Sequence, residues 1–65
     1  MTKDQAIAAG YTQPVFATTG TLDLELLIRP GTDYDSAFGA YDLNEGEMLK
    51  VNGWNFDFED MTEEA

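Results

Sequence analysis

Between Leu22 and Arg29 the chain alternates. Leu22, Leu24, Leu26 and Ile28 are interleaved with Asp23, Glu25, Leu27 and Arg29. A period of two is that of a half-buried β-strand, because successive side chains of a strand point to opposite faces. Val15 and Ala17 continue the pattern upstream. A two-residue turn at Thr19-Gly20 would set Thr18 opposite Thr21, Ala17 opposite Leu22 and Val15 opposite Leu24, with every apolar partner on one face. Pro30-Gly31 closes this hairpin.

The second half repeats the design. Residues 38–51 offer two short strands around a turn at Asn44-Glu45-Gly46, with Tyr41 expected beside Leu49 on one face. Asn52-Gly53 then stands between two alternating runs, a strong hairpin signal. With that turn, Val51 faces Trp54 and Leu49 faces Phe56. Trp54, Phe56 and Phe58 point inward, while Asn55, Asp57 and Glu59 point out. Thr32, Asp33 and Ser36 suit turns.

At the N-terminus, Thr2 and Gln5 have the spacing of a capping box. Alanines favour the helix, and Gly10 is placed to end it, with Tyr11 folding back toward Ala6. The fold class predicted is α+β: a short N-terminal helix packed on the apolar face of an antiparallel meander of about four to five strands. Residues 1–65 form one domain, with 62–65 as a frayed tail.

Composition limits the chemistry. A chain of 65 residues buries only about 60% of the surface its unfolded form exposes. Cys and His are both absent, which removes disulfides, thiolate and imidazole chemistry and the usual zinc ligands. Asp33-x-Asp35 and Asp42-x-Asn44 resemble the start of an EF-hand loop. Their sixth positions are Phe38 and Glu47 where that loop needs glycine, and their twelfth are Asn44 and Gly53 where it needs glutamate. No catalytic, cofactor or metal site is expected. With no basic region ahead of an apolar stretch, and no apolar run near the roughly 20 residues that span a bilayer, the chain reads as soluble and cytoplasmic.

Charge changes the picture most. Thirteen acids and three bases give −10. Residues 1–30 carry a net −1 and residues 31–65 a net −9, with Lys50 the only base in the second part. A small soluble domain usually carries a net charge of magnitude about 2–8. The hydrophobic fraction of 43% and the periodic pattern argue for a folded domain rather than a disordered acidic tail. Such a charge excludes direct phosphate binding and anionic membranes. It also costs stability by self-repulsion. The plain reading is a solvated surface that serves solubility. The sharper one is that the field recruits a basic partner, through Asp33, Asp35, Asp42, Glu45, Glu47, Asp57, Glu59 and Asp60.

In size, charge and composition the chain resembles small phage-encoded inhibitors, above all the anti-CRISPR proteins that mimic DNA. That resemblance implies a non-enzymatic, monomeric inhibitor in the host bacterial cytoplasm. Its partner would be a basic nucleic-acid-binding protein, a CRISPR effector before others, whose DNA channel it blocks. Acidic inhibitors of restriction enzymes and repair nucleases share the profile. So does a different class, a small structural or adaptor module of a virion or scaffold, which could dimerise through open sheet edges.

Overall fold

The computed structural model describes residues 1–20, 22–52 and 60–64. Among these residues one helix, α1 (Lys3–Ala8), precedes five strands: β1 (Gln13–Thr19), β2 (Leu22–Ile28), β3 (Phe38–Asp42), β4 (Glu47–Val51) and β5 (Asp60–Glu63). All five join one antiparallel sheet in the order β4-β3-β2-β1-β5. Four strands thus form the expected meander. The fifth does not extend it beyond β4 but pairs with β1 at the opposite edge.

α1 starts and stops where its sequence dictates. The Thr2 hydroxyl accepts from the Gln5 N–H (3.2 Å), and the Thr2 N–H donates to Gln5 Oε1 (2.8 Å), so two orphan donors are satisfied reciprocally. At the other end Gly10 takes φ +103°. The Tyr11 N–H then reaches the Ala6 carbonyl and the Gly10 N–H the Ile7 carbonyl, each at 3.0 Å. This pair of bonds is a Schellman closure.

The β1–β2 hairpin differs from expectation by one turn position. Thr19 stands opposite Leu22, Ala17 opposite Leu24 and Val15 opposite Leu26, so Gly20 comes first in the two-residue connection. A hairpin turn that matches strand twist needs positive φ at its first central residue, and Gly20 has φ +57°. The slip moves each partner by two residues, and the two faces of the sheet are therefore preserved.

Each face of the sheet buries its own cluster. The larger holds Val15, Ala17, Leu26, Ile28, Ala40, Val51 and Met61, with Leu24, Tyr34, Phe38 and Leu49 packed against it. Leu26, Ile28, Val15 and Val51 are the largest wholly buried side chains, each contributing about 1.5–3 kcal/mol by removal from water. On the other face Ala6 of α1 meets Leu27 and Tyr41, flanked by Tyr11 and Leu43. The helix was expected on the main apolar face; it lies against the smaller cluster, which Leu27 and Tyr41 supply. Tyr41 pairs with Met48, and Leu49 with Ala40. Tyr41 and Leu49 consequently sit on opposite faces, not side by side.

Of the tail expected to fray, 62–65, Thr62 and Glu63 belong to strand β5. Met61 is buried, and β5 pairs with β1 from Thr18–Asp60 to Val15–Glu63. Beyond it the Glu64 N–H donates to the Pro14 carbonyl, and Gln13 Nε2 donates to the Glu64 carbonyl, both at 3.0 Å. Strand pairing satisfies these backbone groups better than a solvated tail would. The predicted Asn52-Gly53 turn and the facing of Trp54, Phe56 and Phe58 lie outside the described residues.

Candidate functional site

The carboxylates sort by the elements that carry them. Of the ten acids whose side chains are described, nine are exposed and Asp42 alone is buried. Because the sheet fixes its backbone, their positions follow from register.

One group surrounds the β3–β4 turn. Asp42 closes β3 opposite Glu47, and its Oδ1 accepts from the N–H groups of Asn44 (2.8 Å) and Glu45 (3.2 Å). Its carbonyl takes the Gly46 N–H at 2.8 Å, and Gly46 has φ +71°. Asp42 is 3% exposed. It was predicted among the partner-binding acids; in the fold its carboxylate is consumed in building the turn. What that turn displays is Glu45 and Glu47, both exposed. The Leu43 N–H donates to the Glu25 carbonyl at 3.0 Å, which brings the exposed Glu25 alongside. Asp23 follows on the same face of β2, about 6.8 Å from Glu25 at the backbone.

A second group lies at the other edge. Glu63 and Glu64 are exposed at the end of β5, and Asp60 begins that strand opposite Thr18. Tyr34 connects this edge to the 31–37 loop by donating its hydroxyl to Glu63 Oε1, while its ring meets Phe38 edge-on at 5.7 Å and 78°. Burial, then the hydrogen bond and charge of Glu63, push the Tyr34 phenol up to about 12. The same loop carries the exposed Asp33 and Asp35. Asp33 Oδ1 accepts from the Asp35 N–H, and Oδ2 from the Ser36 hydroxyl, both at 3.0 Å. Asp33 and Asp35 are thereby held on an ordered turn.

Glu63, Val15, Leu26, Asp42 and Glu47 form one cross-strand row. Four strand spacings of about 4.8 Å put Glu63 and Glu47 some 19 Å apart at the backbone. The structure thus brings Glu45 and Glu47 together at the β3–β4 turn, while Glu25, in phase with Leu27 on the central strand β2, lies on the opposite face from Glu47. It ties Asp33 and Asp35 to the β5 edge through Tyr34, and it keeps the two groups on opposite edges. Asp57 and Glu59 lie outside the described residues. Glu25, Glu63 and Glu64 were not among the partner-binding acids predicted from the sequence. For Glu25 the signal was available, since it occupies the polar phase of the β2 alternation.

The three cations, Lys3, Arg29 and Lys50, are exposed. The Arg29 guanidinium lies 4.9 Å from the centroid of the Tyr11 ring, within cation–π range. Among the described residues no group of three or more His, Cys, Asp or Glu is placed to hold a metal ion. None of the described helices is long and apolar enough to cross a membrane. No protein-family model, curated protein or solved structure matches the chain.

Proposed function

We propose that this chain is a non-enzymatic acidic inhibitor of the phage-encoded, DNA-mimicking kind, acting in the host cytoplasm. It occupies the basic nucleic-acid channel of another protein, and a CRISPR effector is the favoured target. The observation that carries the reading is the display of nine exposed carboxylates among the described residues, on the sheet, its connections and α1, around a core of its own in a molecule of net charge −10.

Three features support it. The chain tolerates self-repulsion that solubility alone does not require, and a domain this small has little stability to spare. The anchored turns hold Asp33, Asp35, Glu45 and Glu47 in place, so that less ordering entropy is lost on association. Acidic groups at both edges, with the exposed Asp23 and Glu25 on the central strand between them, present charge over a wider surface than one extended strand would. Glu63 extends the β5 edge, Glu25 adds charge on the central strand β2, and Asp57, Glu59 and Asp60 remain partner-binding candidates on the sequence argument. Asp42 drops out.

A binding surface of this kind works through long-range attraction, so association should be fast and should weaken as salt rises. The test is competition. The purified chain is titrated into a CRISPR effector–DNA complex and, separately, into a restriction enzyme–DNA complex, each with labelled DNA. Release of DNA at low salt, diminishing at high salt, is the expected result. Retention of DNA by both would show that this chain does not compete for such channels.

A further inference from the structure

A cleft of about 400 Å³ opens beside the β2–β3 connection, lined among others by Tyr11, Arg29, Asp33, Ser36, Phe38 and Gly39. Its volume falls in the range of small-ligand sites, roughly 300–1,000 Å³. We propose that it binds a zwitterionic aromatic ligand of the α-amino-acid class, with the carboxylate on Arg29, the ammonium on Asp33 and the side chain against the aromatic wall.

Each part of this assignment rests on a named group. Arg29 is exposed and stacks on the Tyr11 ring, and among the described residues no carboxylate pairs with it. Stacking occupies one face of a guanidinium and leaves its N–H edges, whose fork matches a carboxylate. In a chain with thirteen acids, an arginine held by a ring at a cleft is available to an incoming anion. Asp33 supplies the opposite charge. Its two oxygens each take one hydrogen bond, from the Asp35 N–H and the Ser36 hydroxyl, which orients the carboxylate while leaving acceptor capacity on both.

The apolar part comes from the Tyr11 ring on one face and from the start of β3, where the half-buried Phe38 lines the cleft while its ring packs toward the main cluster, edge-on to Tyr34. Gly39 keeps this side of the cleft open. A Cβ there would lie 3.2 Å from the Tyr11 hydroxyl, so any larger residue would displace the ring on which Arg29 rests.

Charge selects the ligand class. A net anion is repelled by the molecule's overall field. A net cation is drawn by the field but meets Arg29 inside the cleft. A zwitterion satisfies Arg29 and Asp33 together and carries no net charge into that field. The cleft shares Asp33 with the acidic surface, but its test reads ligand-induced shifts of the chain alone and therefore does not depend on the proposed inhibition.

The full chain, labelled with ¹⁵N, is titrated with L-phenylalanine, 3-phenylpropionate and 2-phenylethylamine, three probes that share a ring and differ in charge. Saturable shifts at Tyr11, Gly31, Thr32 and Gly39 are expected, with phenylalanine binding roughly two- to fivefold tighter than either single-charge probe, the size of one exposed ion pair. Asp33→Asn should erase its advantage over 3-phenylpropionate. Arg29→Gln, at an exposed position that braces no turn by its side chain, should erase its advantage over 2-phenylethylamine. The proposal is overturned if phenylalanine produces no saturable shift at these residues. Equal wild-type affinity for a single-charge probe, or an unchanged ranking in Arg29→Gln, would also overturn it.

Discussion

Replacing Asp42 by alanine removes one acceptor from two backbone donors at once, and the cost can be worked from the turn itself. Asp42 Oδ1 takes the Asn44 N–H at 2.8 Å and the Glu45 N–H at 3.2 Å. A hydrogen bond to a charged group contributes about 1.5–3 kcal/mol when its loss leaves the partner dry. Asn44 and Glu45 are exposed, however, and their freed N–H groups can turn to water. The loss should then approach that of a helix N-cap, about 0.5–2 kcal/mol per side chain removed. Taking two donors into account, about 2 kcal/mol is expected for Asp42→Ala. A domain of this length has a total stability of about 3–10 kcal/mol, so the effect is large. It corresponds to a fall of roughly 8–16 °C in the melting temperature. Asp42→Asn keeps a carbonyl oxygen that can accept both donors, and should lose about half as much. Urea denaturation of the three proteins, with the slope of the transition compared as well as its midpoint, makes the measurement. An Asp42→Ala protein within about 0.5 kcal/mol of wild type, the range of an ordinary surface substitution, would refute the assignment of Asp42 to turn construction.

Three further outcomes are expected. Self-repulsion should make the fold salt-dependent: at about 0.01 M salt the screening length of about 30 Å matches the 29 Å long dimension of the molecule, whereas at 0.15 M it is about 8 Å. The melting temperature should therefore rise between these conditions, and a flat response by circular dichroism would contradict the repulsion argument. Met61→Ala should destabilise by about 2–4 kcal/mol in urea, because Met61 is 5% exposed in the main cluster; a frayed terminus would give no change. Tyr34 should also tie stability to alkaline pH. Its phenol is raised from 10.0 to about 12 in the fold, so between those values the native state keeps a proton that the unfolded chain has lost, and stability declines as pH rises. The contribution is whole below about pH 10 and gone above about 12. Tyr34→Phe should flatten that decline, and in a phenolate absorbance titration of wild type one of the three tyrosines should ionise late.

The alternation of β2 and the caps of α1 were legible because each is a local pattern with a local cause. The two faces of the first hairpin were legible for the same reason. Its register was not, because Thr19-Gly20 and Gly20-Thr21 both leave the apolar residues on one face, and only the requirement for positive φ at the first turn position separates them. β5 escaped notice because Asp60–Glu63 holds a single apolar residue, too few to show a period. What makes it a strand is the edge of β1, some forty residues away in sequence. Asp42 illustrates the opposite case. Phe38, Ala40 and Asp42 share one phase of β3, and placing Tyr41 beside Leu49 turned that phase outward, whereas in the fold it faces the main cluster. The charge of Asp42 argued for the surface, and the turn it braces reconciles that charge with burial. The division of the acids between two edges depends on strand order, which hairpin signals do not contain.

The most direct test of the central claim compares wild type with a variant carrying Glu25→Gln, Glu45→Gln, Glu47→Gln and Glu64→Gln, all at exposed positions. These changes remove four negative charges, taking −10 to −6, without altering side-chain shape or an identified core contact. Both proteins are titrated at low salt against the same effector–DNA complex, after circular dichroism has shown that the fold is intact. The account predicts that the amide variant releases far less DNA than wild type and that its remaining activity depends less on salt. Equal release by the two folded proteins would contradict it.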